Sequence, residues 1–254
     1  MKRKTCILMF IIAVIIISTS AAYAETFEIP VPKIGIDVGE AETPEDYVNG
    51  IKILVLLTVL TLVPSILMLM TSFTRIIIVL SFMRNALNTQ QAPPNQVLLG
   101  LAIFLTIFIM RPVYTDVMTN AIDPYLAGEI TQEEAIETGS VPIKTFMLSQ
   151  TREKDLALFY DLSEEQPPTE RMDTPFTVLI PAFVISELKT AFQMGFMIFM
   201  PFIIIDLVVA SILMAMGMFM LPPVMMSLPF KLLLFVMVDG WYLLVKSLVE
   251  SFVR

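Results

Sequence analysis

Five charged side chains stand inside the apolar carboxy-terminal third of this 254-residue chain, and they are its first candidates for chemistry: Glu187, Lys189, Asp206, Lys231 and Asp239. A charge at the centre of a bilayer costs ~2.5–3.5 kcal/mol on insertion scales, so each should face protein or water and have a partner. Acids in such places can relay protons, whereas buried ion pairs fix the register between helices or between subunits. Because anions and cations are similar in number here, pairing is the favoured hypothesis.

Histidine and cysteine, which perform much of the chemistry of enzymes near neutral pH, are scarce. The chain has no histidine, which excludes His-based triads, HExxH zinc sites and haem ligation by histidine. Its one cysteine, Cys6, excludes an intramolecular disulfide and a CxxC redox pair. No glycine-rich loop for a phosphate is present, and a net charge of -8 without a basic patch argues against nucleic acid as a partner. The sequence predicts no catalytic residue, no cofactor and no metal site, hence no enzyme.

The elements that must position these charges are apolar helices. Residues are 56% apolar and 16% charged, with a mean hydropathy of +0.80, which is typical of a membrane protein. The apolar runs are short and often broken by proline: 53–70, 97–110, 176–186, 191–205, 207–226 and 232–238. The fourteen residues of 97–110 would span ~21 Å against a ~30 Å hydrocarbon core. We therefore expect an all-α fold whose bent helices pack against protein as much as against lipid.

Local signals predict where several helices begin and end. Thr43-Pro44 should start one helix and Pro94 another, while Pro64 should kink the first. Thr131 and Glu134 have the spacing of a capping box. We expect the capped helix to stop at Gly139, and Pro142 to open a further run to about Phe159.

The amino terminus has the pattern of a secretory signal peptide. Three cations, an apolar run from Cys6 to Ile17 and Ala22-Tyr23-Ala24 follow one another, which predicts cleavage between Ala24 and Glu25. An uncleaved transmembrane helix is the alternative, but twelve apolar residues fall short of the ~20 that a span needs. Cys6 precedes the apolar run, so it is not placed as a lipoprotein acceptor.

The distribution of charge predicts which segments face the cytoplasm. Residues 25–50 carry seven acids against one lysine, and 111–175 carry thirteen acids against five bases. Residues 71–96 contain Arg75, Arg84 and no acid, and cytoplasmic loops are enriched in Lys and Arg. We expect 71–96 inside and both acidic segments outside. The predicted parts are a signal peptide (1–24), an acidic segment (25–50), a first apolar hairpin (51–110), a small acidic helical extracytoplasmic region (111–175) and a second hairpin region (176–254).

Four blocks of this sequence resemble the FliP family of flagellar protein-export gate subunits and their type III secretion counterparts, the SctR proteins. The longest is Pro181-Ala182-Phe183-Val184-Ile185-Ser186-Glu187-Leu188-Lys189-Thr190-Ala191-Phe192-Gln193-Met194-Gly195-Phe196. The others are Thr71 to Gln96, Pro201 to Val208, and Leu228-Pro229-Phe230-Lys231 with Asp239-Gly240-Trp241. The resemblance covers about 50–110 and 176–251 and is looser between them.

The resemblance implies a multi-pass protein of the bacterial inner membrane, assembled as a pentamer-like helical homo-oligomer in the flagellar basal body. FliQ and FliR would complete the gate, FliO would assist assembly, and other export-apparatus, ring and rod proteins would be neighbours. Unfolded flagellar subunits would pass through. The positions that match the family's methionine-rich sealing loop are Met218, Phe219 and Met220, of which Phe219 departs from the usual run of methionines. Methionine is adaptable enough to close a pore and to deform around varied chains. Pro222-Pro223, which follow these residues, would end the helix.

Two other function classes remain as alternatives. A small-solute channel or proton-coupled transporter could use Glu187, Asp206 and Asp239 as an ion path, but it predicts internal repeats, and none in this sequence is convincing. An intramembrane aspartyl protease could use Asp206 and Asp239. These residues stand in Ile-Ile-Asp-Leu and Val-Asp-Gly-Trp, without the Gly-x-Gly-Asp context of such enzymes.

Overall fold

A computed structural model describes residues 44–89, 92–164 and 166–252, and these ranges contain helices and turns but no strand. The predicted signal peptide, its cleavage site at Ala24 and Glu25, and Cys6 lie outside the described residues. The chain divides into two units between Ile53 and Leu54, and the helix packing belongs to the second unit, Leu54–Arg254.

The helices of the described residues confirm an all-α fold. In chain order they are α1 (Pro44–Leu69), α2 (Phe73–Leu87), α3 (Asn95–Val117), α4 (Asp123–Leu126), α5 (Gln132–Gln150), α6 (Glu153–Ser163), α7 (Phe176–Ala215), α8 (Pro223–Met237) and α9 (Gly240–Glu250). A π-helical turn, Met118–Ile122, joins α3 to α4 without a break, and a 3₁₀ turn, Arg171–Asp173, precedes α7. The starts predicted from Pro44 and Pro94 agree with this to within one residue.

Two of these helical stretches are long and apolar enough to cross a membrane. They are Asn95–Leu126, of 32 residues, and Phe176–Ala215, of 40 residues. Helices α8 and α9 meet at 64° and would supply a third crossing if the bent pair is one span. At ~1.5 Å per residue the two long stretches measure about 48 and 60 Å, well beyond a ~30 Å hydrocarbon core. Each therefore has room to continue outside the hydrocarbon layer, and the short run 97–110 belongs to a much longer helix.

Helix α2 lies at the centre of the larger core. Its apolar residues recur at spacings of three and four and are almost fully buried: Ile76, Val79, Leu80, Met83, Ala86 and Leu87. They pack against residues from α3, α7, α8 and α9. Helix α7 comes especially close, because a Cβ on Gly195 would stand only 2.5 Å from Cγ of Phe82. A helix surrounded on so many sides is positioned by its neighbours far more than by its own propensity.

A second core joins the acidic region to α7. Leu156 and Tyr160 of α6 are buried together with Leu179 and Phe183 of α7, and Tyr160 donates a hydrogen bond to Thr174 at 3.0 Å. The first part of the acidic region, up to Leu126, simply continues α3. Residues 111–175 therefore pack against α7 in a shared core and do not form a separate core.

The capping box is confirmed, whereas the predicted stop at Gly139 is wrong. The Thr131 hydroxyl accepts from the Glu134 amide at 3.3 Å, and the Glu134 carboxylate accepts from the Thr131 amide at 2.8 Å. Helix α5 then runs through both Gly139 and Pro142 to Gln150. A Cβ on Gly139 would lie 3.2 Å from Cβ of Ala121. This glycine thus permits a close approach between α5 and the π-helical turn, a role that the sequence alone does not reveal.

Candidate functional site

Two ion pairs set into the packed helices form the candidate site, together with the loop between α7 and α8. The first pair joins α2 to α7. Nε of Arg75 donates to Oε2 of Glu187 at 2.9 Å, and Nη2 donates to Oε1 of the same carboxylate. Arg75 is 2% exposed and Glu187 0%. A bidentate contact suits the planar guanidinium, and it keeps a buried carboxylate from being left unpaired.

The remaining donors of Arg75 bring two further segments to the same point. Nη1 donates to the backbone oxygen and hydroxyl of Ser251 at 3.0 and 2.9 Å, and Nη2 donates to Oε1 of Gln150 at 3.0 Å. The guanidinium carbon also lies 3.8 Å from the centre of the Phe252 ring. All five donor positions of the arginine are therefore used. We call this set the arginine junction: Arg75, Glu187, Gln150, Ser251 and Phe252.

The arginine junction changes the meaning of Arg75. The sequence interpretation counted Arg75 as a loop charge that marks the cytoplasmic side, but the residue is buried in the first turn of α2. The other arginine, Arg84, donates to Oδ1 of Asn95 across the α2–α3 connection. Only Arg84 therefore still supports placing residues 71–96 on the cytoplasmic side, and the orientation of the chain in the membrane stays a prediction. The sequence contained a signal for this ion pair. Arg75 directly precedes the apolar run Ile76-Ile77-Ile78, and Glu187 is an acid in another apolar run.

The second pair joins α7 to α8. Nζ of Lys231 donates to Oδ2 of Asp206 at 2.7 Å, and the Ser227 hydroxyl donates to Oδ1 of the same carboxylate. Ser227 and Lys231 are one turn apart on α8, so both reach the one acid on α7. Lys231 is 1% exposed, while the side chain of Asp206 is 26% exposed. We call Asp206, Ser227 and Lys231 the hairpin clasp.

Lys231 also contacts the end of α2. Its Nζ donates to the backbone oxygen of Ala86 at 3.2 Å, and α2 ends one residue later at Leu87. The last carbonyls of a helix lack partners within that helix and carry partial negative charge, which favours a cation there. The clasp thus fixes three helices with one ammonium group, and it places a positive charge where the backbone of α2 needs it.

The loop that the clasp closes begins with a glycine cap. The amide of Met218 donates to the oxygen of Leu213 at 2.9 Å and that of Gly217 to Met214 at 3.0 Å, while Gly217 has φ +75°. This is a Schellman motif, in which a left-handed glycine terminates the helix. The predicted role of the proline pair is wrong, since Pro222 and Pro223 form the cap and first residue of α8. Gly217 ends α7, and the prolines begin the next helix.

The predicted gate residues Met218, Phe219 and Met220 lie in this loop and point away from the core. Phe219 is 78% exposed and Met220 96%. Neighbouring Met216 is exposed as well. These four large apolar side chains, held outside the core of a single chain, form a surface suited to meeting other apolar groups.

The other two predicted charges are placed differently. Lys189 and Asp239 are exposed, and neither makes an ion pair within the part of the chain that the structure describes. Asp239 instead occupies the left-handed turn between α8 and α9 with φ 51°. Their predicted role between subunits stays a prediction. Within the described ranges no three His, Cys, Asp or Glu side chains are grouped so that they could hold a metal ion.

Comparison with known proteins identifies the family. A model of the FliP family matches residues 56–248, which include both acids, both cations and the whole loop of the candidate site. The chain belongs to the FliP family. This confirms the resemblance seen in the sequence, and it extends through the acidic region 111–175, where the sequence blocks were looser.

Individual relatives carry the name "Flagellar biosynthetic protein FliP". The one from Bacillus subtilis (strain 168) is 57% identical over 217 residues, which cover 85% of this chain and 98% of the relative. The one from Pectobacterium carotovorum subsp. carotovorum is 59% identical over 208 residues, covering 82% and 81%. The one from Aquifex aeolicus (strain VF5) is 47% identical over 224 residues, covering 87% and 92%. The similarity therefore spans at least four fifths of the length of each of these FliP proteins.

Proposed function

We propose that this FliP-family chain is a pore-forming subunit of the flagellar protein-export gate in the bacterial inner membrane. In this proposal copies of the chain assemble with FliQ and FliR, FliO assists the assembly, and the complex lies in the flagellar basal body among its ring and rod proteins. Unfolded flagellar subunits cross through it. The name shared by the relatives, flagellar biosynthetic protein, supports a role in this pathway.

The observation that carries the pore role is the exposed apolar loop. Met218, Phe219 and Met220 stand outside the core between two apolar helices. When several copies surround an axis, such loops would form an apolar ring that excludes water and ions at rest. Methionine is unbranched and adaptable, so the ring could yield to side chains of many shapes. The function is one of positioning and sealing, and it uses no catalytic group.

The clasp and the glycine cap support this proposal because they give the loop a defined base. A seal must return to one closed position after each passage. The Asp206–Lys231 pair holds α7 and α8 together on one side of the loop, and the Schellman motif fixes the direction in which the chain leaves α7. The adaptable part is then limited to a few side chains on a stiff hairpin.

A conductance measurement tests the pore. The chain is co-expressed with FliQ and FliR, the complex is reconstituted in lipid vesicles, and ion leakage is recorded for the wild type and for the variant Met218→Ala/Phe219→Ala/Met220→Ala. We expect the triple variant to leak more while the complex assembles normally. Met118→Ala, which truncates an exposed methionine outside the loop, should leave the resting conductance unchanged. Equal leakage in the triple variant and the wild type would contradict the gate role.

A further inference from the structure

Helix α9 is fastened to the core at its carboxy end by the arginine junction. Nη1 of Arg75 donates to Ser251 at 3.0 and 2.9 Å, and the guanidinium carbon lies 3.8 Å from the centre of the Phe252 ring. The same ring stacks on Phe146, with ring centres 6.2 Å apart, and the Phe252 carbonyl accepts from Nε2 of Gln150 at 3.4 Å. Phe252 is 9% exposed. Ser251 and Phe252 thus fasten α9, and we call α9 together with these two residues the strap.

The other end of the strap is a sharp bend. Helices α8 and α9 meet at 64°, and Asp239 makes the turn between them with φ 51°. Residues other than glycine rarely adopt this left-handed region, although aspartate tolerates it better than most. A Cβ on the next residue, Gly240, would stand 2.0 Å from Cε2 of Phe235, so only glycine fits there. Two adjacent backbone positions therefore set the direction of the whole strap.

The packing against the amino half of the strap is incomplete. A cavity of about 550 Å³ is lined by residues of α2, α7, α8 and α9. Leu243, Leu244 and Ser247 of the strap border it, as do Met83 of α2 and Met194 of α7. Side chains at the edge of a void lose part of their dispersion contacts. This half of the strap is therefore held less firmly than the end at Phe252.

Release of the fastening would leave both charges of the arginine junction paired. Without Ser251, Arg75 still has the two carboxylate oxygens of Glu187 and Oε1 of Gln150 as acceptors. Separating Arg75 from Glu187, in contrast, would leave a buried ion without its partner, at high cost. Only the hydrogen bonds to Ser251 and the contacts of the Phe252 ring are lost on release. The ion pair is thus the firm part of the junction, and the strap is the part that is easier to release.

We propose that the strap is a movable element, which detaches at Ser251 and Phe252, turns about Asp239 as an intact helix and opens the cavity. Helices α2, α7 and α8 stay packed while it moves. A fastening that can be released, a bend at the opposite end and a void between them are the three parts that such a movement needs. Hinges consist of a few residues at the ends of elements, which absorb the change in backbone direction. The inference goes beyond the export gate and does not depend on it.

Distances between spin labels test the movement in the full-length protein in detergent. Cys6→Ser removes the one native cysteine. Ile212→Cys/Lys246→Cys then places labels at exposed positions of α7 and of the strap. A reference pair, Ile185→Cys/Val236→Cys, joins exposed positions of α7 and α8 without the strap. The labelled protein is mixed with an excess of unlabelled Cys6→Ser protein, so that distances between copies do not contribute, and double electron–electron resonance gives the distance distributions.

We expect one main distance for the strap pair when Phe252 is present. Phe252→Ala should add a second distance that differs by ~5 Å or more in at least about a third of the molecules. Phe252→Leu should act in the same direction but less strongly, because it keeps apolar bulk and loses the ring contacts with Phe146 and Arg75. The matched control Phe104→Ala removes a ring that is 74% exposed on α3, and it should leave the distribution unchanged.

The hinge is tested at Asp239 with the fastening at Phe252 left intact. Asp239→Val places a β-branched side chain in the left-handed region, where it is strongly disfavoured, and it should also populate the second distance. Asp239→Asn removes the charge but still tolerates this backbone conformation, so the distribution should stay as in the wild type.

Four results would overturn the inference. The first is a strap distance that neither Phe252 variant alters, and the second is an equal change in the reference pair, which would mean that α7 and α8 loosen as well. The third is an equal effect of Asp239→Asn and Asp239→Val, which would make the charge responsible and not the bend. The fourth is a loss of helical circular dichroism in the Phe252 variants, which would mean that α9 unfolds instead of turning. Ion leakage does not enter these measurements, so the moving strap and the pore proposal fail separately.

Discussion

The arginine junction and the hairpin clasp each contain an ion pair with an acid on α7, but the two acids differ in how far they are exposed. In the junction neither partner is more than 2% exposed, and the guanidinium on α2 donates to three other segments of the chain. In the clasp the cation is enclosed, whereas the acid is 26% exposed. The junction therefore resembles a structural centre, and the clasp resembles a joint with one side open to its surroundings.

This difference shows how one helix can serve two purposes. The half of α7 that contains Glu187 is packed against α2, α5 and α6, and its charge is sealed inside. The half that contains Asp206 leads to the exposed loop, and its charge stays accessible. Burying two ions is costly unless every polar group finds a partner. Fixed packing supplies those partners at the junction, while the clasp keeps part of its acid exposed.

The largest expected effect comes from breaking the junction. Arg75→Met leaves the carboxylate of Glu187 buried without its cation, and we expect a loss of ~3–5 kcal/mol in the free energy of unfolding. The double variant Arg75→Met/Glu187→Leu should recover much of this, because no charge is then left alone. Thermal unfolding in detergent measures both.

The control for the junction is Arg84→Met on the same helix. Arg84 is only partly buried and contacts Asn95, so its loss should cost less than ~1 kcal/mol. If Arg75→Met unfolds at the same temperature as Arg84→Met, the arginine junction does not stabilise the fold more than an exposed contact does.

Breaking the hairpin clasp should lower the stability less, and the loss should depend on which of the two positions carries the acid. Asp206→Asn should cost ~1–3 kcal/mol, since Lys231 loses its charged partner but keeps the Ala86 carbonyl. The swapped variant Asp206→Lys/Lys231→Asp should recover only part of the loss, because an aspartate at 231 would face the carbonyl end of α2. Unfolding temperature and resting ion leakage are the two measurements.

The comparison pair for the clasp is Lys246 with Glu250, which is exposed and 3.9 Å apart. Lys246→Ala should change stability by less than ~0.5 kcal/mol. If Asp206→Lys/Lys231→Asp recovered the full stability of the wild type, the two charges would be interchangeable and the contact of Lys231 with α2 would be unimportant.

Substitution of Gly217 tests whether the glycine cap at the end of α7 fixes the position of the gate loop. Gly217→Ala forces a Cβ into the left-handed region at φ +75° and should cost ~1–2 kcal/mol, with altered leakage as the loop leaves α7 differently. Gly100→Ala is the matched change inside α3, where a Cβ meets nothing within 4 Å. It should be neutral or stabilising by ~0.5–1 kcal/mol. Equal effects of the two substitutions would show that the glycine cap does not determine how the loop leaves α7.

The smallest expected effect on stability comes from Glu134, whose carboxylate is exposed, in contrast to the buried carboxylate of Glu187. Hydrogen bonds from the Thr131 backbone and then its side chain hold the pKa of Glu134 below its ordinary value of 4.5. A lowered pKa in the folded state contributes stability above the unfolded pKa, and this is lost as the pH falls through the folded pKa. Amide exchange at the first turn of α5 should therefore quicken in acid.

The variant Glu134→Gln should lose most of this pH dependence. Glu133→Gln changes an adjacent exposed acid that lies in the same first turn without the capping contact, and it should preserve the dependence. The same acid response in both variants would mean that the cap is not its source.

Sequence reasoning found local features of this molecule well and distant ones poorly. The capping box of α5 and the starts at Pro44 and Pro94 depend on neighbouring residues, and each was recognisable in the sequence. Gly139 was misjudged because its close neighbour, Ala121, comes from another helix. The proline pair after the loop was assigned to the wrong helix for a different, local reason, because a proline can follow one helix or open the next.

The candidate site shows the same division. Five charges in apolar runs predicted pairs, but the sequence does not say which cation meets which acid. Glu187 is separated from its partner Arg75 by 112 positions, and Lys231 from the Ala86 carbonyl by 145. Gln150, Ser227 and Ser251 were missed, because common polar residues gain importance only from where the helices bring them.

The amino-acid sequence by itself determined the helical and apolar character of this protein and its family, whereas the lengths of the long helices came from the structure. The character and the family follow from composition, from periodicity and from long blocks of residues, all of which can be recognised without three-dimensional information. Tertiary structure decided which of the five charges are enclosed, which are exposed, and that Arg75 belongs to the core. The reason is physical: the burial and the partner of a charge depend on helices packed beside it, and those helices come from distant parts of the chain.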